Sequence, residues 1–142
     1  MNLINIGISH HTAAIEVREK MWMSVDEAKE ALAHLKRKFF NECMLVSTCN
    51  RTEVYGMAPD VAVDEAGLRD FLIVFKNAGG VVRPEHFSGS FAGGAVGHLF
   101  TVAAGVDSMV IGDIQILGQV KEAFQVSREM NLLGPVMNRL MQ

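Results

Sequence analysis

Two apolar runs meet across two polar residues. ECMLVSTC (42–49) passes through Asn50-Arg51 into TEVYGMA (52–58). Runs of this length, rich in β-branched and aromatic residues and separated by a short polar pair, read as the two strands of a hairpin. Another strand is expected at LINIGIS (3–9) and a short last one at 86–91. The segments between them have helical period. Residues 14–21 suit a short helix, and a second begins at Ser24, where Ser24 and Glu27 fit a capping box. Val25, Ala28, Leu32, Leu35 and Phe39 then form its apolar stripe. A third helix is expected over 62–77 through Leu68, Phe71, Leu72 and Phe75, stopped near Asn77-Ala78-Gly79-Gly80. The order βα, ββ, αβ predicts an α+β fold, a ferredoxin-like β-α-β-β-α-β sandwich with two helices on one face of one sheet.

From Ala92 onward only helical patterns occur. One spans about 93–104, with Val96, Leu99, Phe100 and Ala103 as its buried stripe. GVDSMVIGD (105–113) links it to a helix expected over 114–130, which Leu133-Gly134-Pro135 breaks. A further helical pattern, with Val136 and Leu140 on one side, reaches Gln142 without a cap. The chain therefore divides into an α/β part, 1–91, and a helical part, 92–142, and is expected to continue in a longer natural protein.

With 142 residues, 49% of them apolar, the chain builds one domain with a real core. A formal charge of −3 excludes a basic footprint of the kind that grips nucleic acid over a whole surface. Cys43 and Cys49 lie six apart along one expected strand, too far to bridge, and two free thiols without a signal peptide point to a reducing, cytoplasmic setting. No apolar run of about 18 residues or more is present to span a membrane.

The thiol at the end of a strand draws the chemistry to 48–51. A thiolate is the reactive form of cysteine, and a neighbouring cation favours it. Arg51 stands two residues from Cys49, where a turn brings a guanidinium back toward the sulfur or toward a bound carboxylate. The ordinary role of a free cysteine is that of a small hydrophobe, and Cys43, inside the apolar run, fits it. His98 lies about 100° round from Leu99, on the flank of its helix, where an imidazole serves either as a boundary hydrogen-bonder or as an acid or base in a cleft. His10-His11 reads as turn, His34 and His86 as surface, and no Cys/His spacing suits a metal. Asp113 fits an N-cap, and Gln115 and Gln119 share a helix face that is either a polar surface or a small-ligand site. Gly118 inside that helix costs about 1 kcal/mol and suggests close approach of a backbone or ligand. The only glycine cluster, GSFAGG (89–94), follows no buried strand of a βαβ unit, so no dinucleotide fold is expected.

Three stretches, GISHHTA (7–13), STCNRTEVY (47–55) and HLFTVAAGVDSMVIGDIQILGQVKEAF (98–124), in this order and spacing, resemble the N-terminal catalytic domain of the glutamyl-tRNA reductase family. GPVMNRLMQ (134–142) resembles the start of the segment leading out of that domain. The resemblance implies NADPH-dependent reduction of glutamyl-tRNA to glutamate-1-semialdehyde, the first committed step of the five-carbon route to tetrapyrroles such as heme. It implies that Cys49 attacks the glutamyl ester to form a thioester, that His98 assists proton transfer, and that Arg51 pairs with a substrate carboxylate. Thr48, Asn50, Ser108, Asp113, Ile114, Gln115 and Gln119 match the family's other substrate contacts. No metal is implied. NADPH would be bound by a further Rossmann domain, and a homodimer would form through a helical C-terminal domain, with possible hand-over of product to glutamate-1-semialdehyde aminomutase. These 142 residues alone are accordingly expected to acylate or hydrolyse, without completing the reduction. Two departures stand out: Gly112-Asp113 where the family usually has Gly-Glu, and Gly93, Gly94 and Gly97 where helix-forming polar residues are commoner. The competing readings are a non-enzymatic RNA-binding module built on the sheet and a simple thiol hydrolase using Cys49 and His98.

Overall fold

The computed structural model describes residues 2–59, 64–107 and 115–141. Four strands, β1 (Leu3–Ser9), β2 (Glu42–Ser47), β3 (Arg51–Met57) and β4 (Ser88–Phe91), form one sheet in the order β2-β3-β1-β4. Every pairing is antiparallel, with Ser9 opposite Arg51, Gly7 opposite Glu53 and Val46 opposite Glu53. Side chains alternate between faces along a strand. Ile4, Ile6, Ile8, Cys43, Leu45 and Val54 therefore share one face, and Leu3, Met44, Val46 and Tyr55 share the other. Gly7 is required where it stands, because a Cβ there would lie 2.3 Å from the Thr52 carbonyl oxygen and 2.9 Å from Glu53 Cγ.

Both faces are covered. On the first lie α1 (Ile15–Met21), α2 (Val25–Lys38) and α3 (Glu65–Phe75), packed through Val17, Met21, Leu32, Leu35, Leu68 and Leu72. On the second lie α4 (Gly93–Ala103), α5 (Gln115–Glu129) and α6 (Pro135–Leu140), packed through Ala95, Leu99, Val102, Ile116, Val120 and Met137. Helices α2 and α3 share one face as expected, and the helices after β4 add a layer on the other that was not expected. Strands apolar on both sides leave a face exposed unless a second layer covers it, and the helices after β4 supply that layer. Each of the Val, Leu, Ile and Met side chains contributes about 1.5–3 kcal/mol on full burial.

Local signals are reproduced where they are local. Ser24 Oγ accepts from the Glu27 N–H at 3.2 Å, and the Glu27 carboxylate accepts from the Ser24 N–H at 3.1 Å, completing the capping box of α2. The last helix is placed by contacts from far along the chain. Glu42 Oε1 on β2 accepts from the N–H groups of Gly134 at 2.7 Å and Met137 at 2.8 Å. The Cys43 N–H donates to the Leu132 carbonyl at 3.0 Å. Met137, rather than Val136 and Leu140, is the buried residue of α6. For Gly118, a Cβ would meet nothing within 4 Å among the described residues, so no backbone of theirs approaches it closely.

The two glycines predict opposite outcomes. Gly118→Ala removes backbone entropy from a helix interior into open space and should raise stability by about 1 kcal/mol. Gly7→Ala should lower it, because the β3 backbone cannot yield. Urea denaturation midpoints of the two variants against the wild type check the pair; equal shifts would refute the assignment.

Candidate active site

The turn between β2 and β3 consists of Thr48, Cys49 and Asn50, so Cys49 rides on the turn itself and Arg51 is the first residue of β3. The turn is locked from within and from outside. The Thr48 N–H donates to the Arg51 carbonyl at 2.7 Å, and Thr48 Oγ1 accepts from the N–H groups of Asn50 at 3.1 Å and Arg51 at 3.3 Å. The His10 N–H, at the end of β1, donates to the Asn50 carbonyl at 2.9 Å. Thr48 is buried beneath the turn, Asn50 is half-buried, and the Cys49 side chain is exposed. Cys43 has the opposite environment, in which burial pushes its thiol up to about 12.

Beside the turn, under the second helical layer, lies a buried charge network. Arg51 and Glu53 point to the same face of β3 because they are two apart. Arg51 Nη1 donates to Glu53 Oε1 at 2.9 Å. Arg51 Nη2 donates to the Asp107 carbonyl at 2.7 Å and stands 2.9 Å from Asp107 Oδ2. His98 Nε2, on α4, donates to Glu53 Oε2 at 2.5 Å, and the Tyr55 ring stacks near His98 at 6.3 Å between centroids. Asn5 Nδ2 donates to the same Glu53 oxygen at 3.4 Å. His11 Nε2 lies 3.1 Å from Asp107 Oδ1. Acidic and basic groups thus follow one another through Asp107, Arg51, Glu53 and His98, with His11 beside Asp107.

The titration directions follow from this arrangement. The hydrogen bond from Glu53 raises His98 above 6.5, against a smaller opposing effect of burial. Burial pushes the Glu53 carboxyl up, but His98 and Arg51 together outweigh it and hold it below 4.5. Burial likewise raises Asp107, and the Arg51 hydrogen bond and charge turn the net direction downward. Arg51 ends raised, its burial outweighed by Glu53 and Asp107. Each partner thus favours the charged form of the other, an imidazolium on a carboxylate.

The structure brings Thr48, Cys49, Asn50 and Arg51 together on or beside one turn, and joins Arg51 to His98 through Glu53. His98 is engaged by Glu53 rather than by the thiol. Gln115 and Gln119 are both exposed on α5, and Gln119 lines a cleft with Met23 and Ser47, at the end of β2 that leads into the turn. Ser108, Asp113 and Ile114 lie outside the described residues. Sequence reading missed Glu53, Asp107 and the pairing of His11. The signal available for Glu53 was its spacing of two from Arg51. His34, read as surface, is half-buried against the Phe71 and Phe75 rings.

A family model described as glutamyl-tRNAGlu reductase, N-terminal domain, matches residues 6–142. Curated proteins named glutamyl-tRNA reductase are similar over 99% of the chain. That of Chlorobium phaeobacteroides (strain BS1) is 45% identical over 141 residues, and that of Chlorobaculum parvum is 44% identical over 144 residues. The chain spans 33% of the length of each, about one third. Among solved structures, glutamyl-tRNA reductase from Methanopyrus kandleri superposes with a TM-score of 0.80 at 27% identity, covering 98% of this chain and 31% of that one.

The Glu53 network should be visible in stability. A raised His98 contributes stability fully present below 6.5 and lost as pH rises through its folded value. A lowered Glu53 contributes stability present above 4.5 and lost as pH falls through its folded value. Glu53→Gln should therefore cost most, on the order of 3 kcal/mol, between those limits, and less at acid pH. Urea titrations of both proteins across pH 3 to 9, roughly the span of the two groups, check this; a difference independent of pH would count against the ion pair.

Proposed function

The chain belongs to the glutamyl-tRNA reductase N-terminal-domain family, and on that premise we propose that it performs the acyl-transfer half of glutamyl-tRNA reduction. The observation that carries the reading is Cys49, the exposed thiol of the pair, on a turn whose backbone is fixed by four hydrogen bonds. The Cys49 thiolate attacks the ester carbonyl between glutamate and the terminal ribose of the RNA. A C–S bond forms, the C–O bond to the ribose breaks, and the ribose oxygen takes a proton as the RNA leaves. The product is a glutamyl thioester. A fixed turn favours this step because the nucleophile is held in place before the substrate arrives.

His98, whose protonated form the Glu53 carboxylate favours, is the proton source we assign to the departing oxygen. Arg51 is the group that selects glutamate. Its guanidinium is buried and its donors face Glu53 and Asp107, of which Asp107 is the more exposed, at 21% against 4% for Glu53. In our reading Asp107 Oδ2 holds the position that the substrate's side-chain carboxylate takes on binding. Thr48, Asn50, Gln115 and Gln119, with Ser108, Asp113 and Ile114, complete the pocket on the strength of the resemblance.

NADPH supplies the hydride that turns such a thioester into glutamate-1-semialdehyde in the family. The described residues do not fit a dinucleotide. All neighbouring strands among them are antiparallel, each βαβ crossover (β1 to β2, β3 to β4) straddles a strand of opposite direction, and GSFAGG leads from an exposed edge strand into α4. No step through the cofactor is derived on this chain.

We read the strand order, with α2 and α3 on one face, as a ferredoxin-like sandwich (1–91), and 92–142 as a helical part laid on its second face. A cytoplasmic location, homodimerisation and hand-over of the aldehyde to an aminomutase are proposals for the whole protein. Among the described residues no helix is long and apolar enough to cross a membrane. The reading of the sheet as an RNA platform loses ground, since helices cover both faces.

Intact-protein mass spectrometry after mixing with glutamyl-tRNA and acid quenching tests the reading. A hydroxylamine-sensitive glutamyl adduct is expected on the wild type and Cys43→Ser and not on Cys49→Ser. An adduct that survives Cys49→Ser would sink it.

A further inference from the structure

The acyl-transfer reading leaves unexplained the one tryptophan of the chain. Trp22 follows α1 in extended backbone, φ −60° and ψ 138°, between two buried methionines. Met21 is 1% exposed, Met23 3% and Trp22 46%. With its neighbours both anchored in the core, the indole is directed outward. The segment is strapped to the strands that flank the Cys49 turn. Thr52 Oγ1 on β3 donates to the Met21 carbonyl at 3.3 Å, and the Met23 N–H donates to Ser47 Oγ on β2 at 2.9 Å. Ser47 Oγ and Thr52 Oγ1 are themselves 2.9 Å apart. The same two strand ends therefore hold the indole and the nucleophile, and Trp22, Glu19 and Cys49 line one open depression.

We propose that Trp22 is the stacking platform for the terminal adenine base of the acylated RNA. The inference rests on the acyl-transfer reading above. The leaving oxygen belongs to the ribose of the terminal nucleoside, so when the ester carbonyl is at Cys49 Sγ the base of that nucleoside is one sugar away. An exposed, backbone-fixed indole in the same depression offers it a π-face. Glu19 settles which part of the nucleotide turns this way. Its carboxylate repels a phosphate and accepts a hydrogen bond from the exocyclic amine of adenine. The glutamyl group then extends to the other side of the sulfur, toward Arg51.

Because Trp22 is the only tryptophan, its own emission reports the contact. The trinucleotide CCA is titrated into the 142-residue chain carrying Cys49→Ser, with the indole excited selectively. Saturable quenching is expected. In parallel, acylation of Cys49 is measured at sub-saturating glutamyl-tRNA and with a small glutamyl thioester that lacks a nucleoside. Trp22→Ala should reduce the preference for glutamyl-tRNA over the small donor by about 5- to 150-fold, the equivalent of 1–3 kcal/mol per stacked base, and Trp22→Phe should restore most of it. No quenching by CCA, or a preference unchanged in Trp22→Ala, overturns the platform even if Cys49 is acylated normally. Saturable quenching without any acylation supports the platform and removes the acyl-transfer reading instead. A Trp22→Ala chain that loses both donors equally has lost its fold rather than its base contact, and that result also overturns the proposal.

Discussion

A guanidinium and a carboxylate two residues apart on β3 lie almost without water between sheet and helices. Arg51 is 2% exposed and Glu53 3%. Removing two such charges from water costs several kcal/mol each, and mutual attraction repays it only when the remaining donors and acceptors are also met. Here they are met by groups from every direction: Asn5 from β1, His98 from α4, and Asp107 from the segment that follows α4. Dispersion and apolar burial allow a helix to slide on a sheet. A charge pair that needs a particular imidazole does not, so the network fixes where α4 sits.

The two sheet faces accordingly do different work. The first is apolar through Ile4, Ile6, Ile8, Leu45 and Val54, with only Ser47 and Thr52 polar at the end nearest the turn, and holds the fold. The second is apolar at the end of Leu3, Met44 and Tyr55 and ionic at the end of Arg51 and Glu53. The ionic end adjoins the Cys49 turn. A site built on paired strands and braced by a rigid apolar face keeps its geometry better than one on a free loop, which is the arrangement a nucleophile needs.

The hairpin, the capping box of α2 and the helix boundaries near Met21, Phe75 and Ala103 were legible in the sequence, because periodicity and caps are local events. Glu53 was not. A charged residue at every second position of a strand reads as a solvent face, and only the arrival of α4 from some forty residues away makes it an interior one. The second helical layer was missed for a related reason: alternation shows that a face is apolar, not what covers it. Met137 was displaced from the expected stripe because Glu42, 95 residues earlier, caps α6 and sets its rotation. Cys49, Arg51 and His98 were singled out by residue type alone, and the connection of Arg51 to His98 through Glu53 belongs to the fold.

The two cysteines have one more consequence. With its thiol pushed up to about 12, Cys43 keeps its proton at any physiological pH and is shut inside the core. Oxidants and alkylating agents act on accessible thiolate, so they reach Cys49 first. On the proposed mechanism, a peroxide that caps that sulfur abolishes acyl transfer while the core packing stays in place. The domain therefore fails silently under oxidative stress: it remains folded and, as long as the lesion stops at the sulfenic acid or a disulfide, recoverable by a thiol reductant.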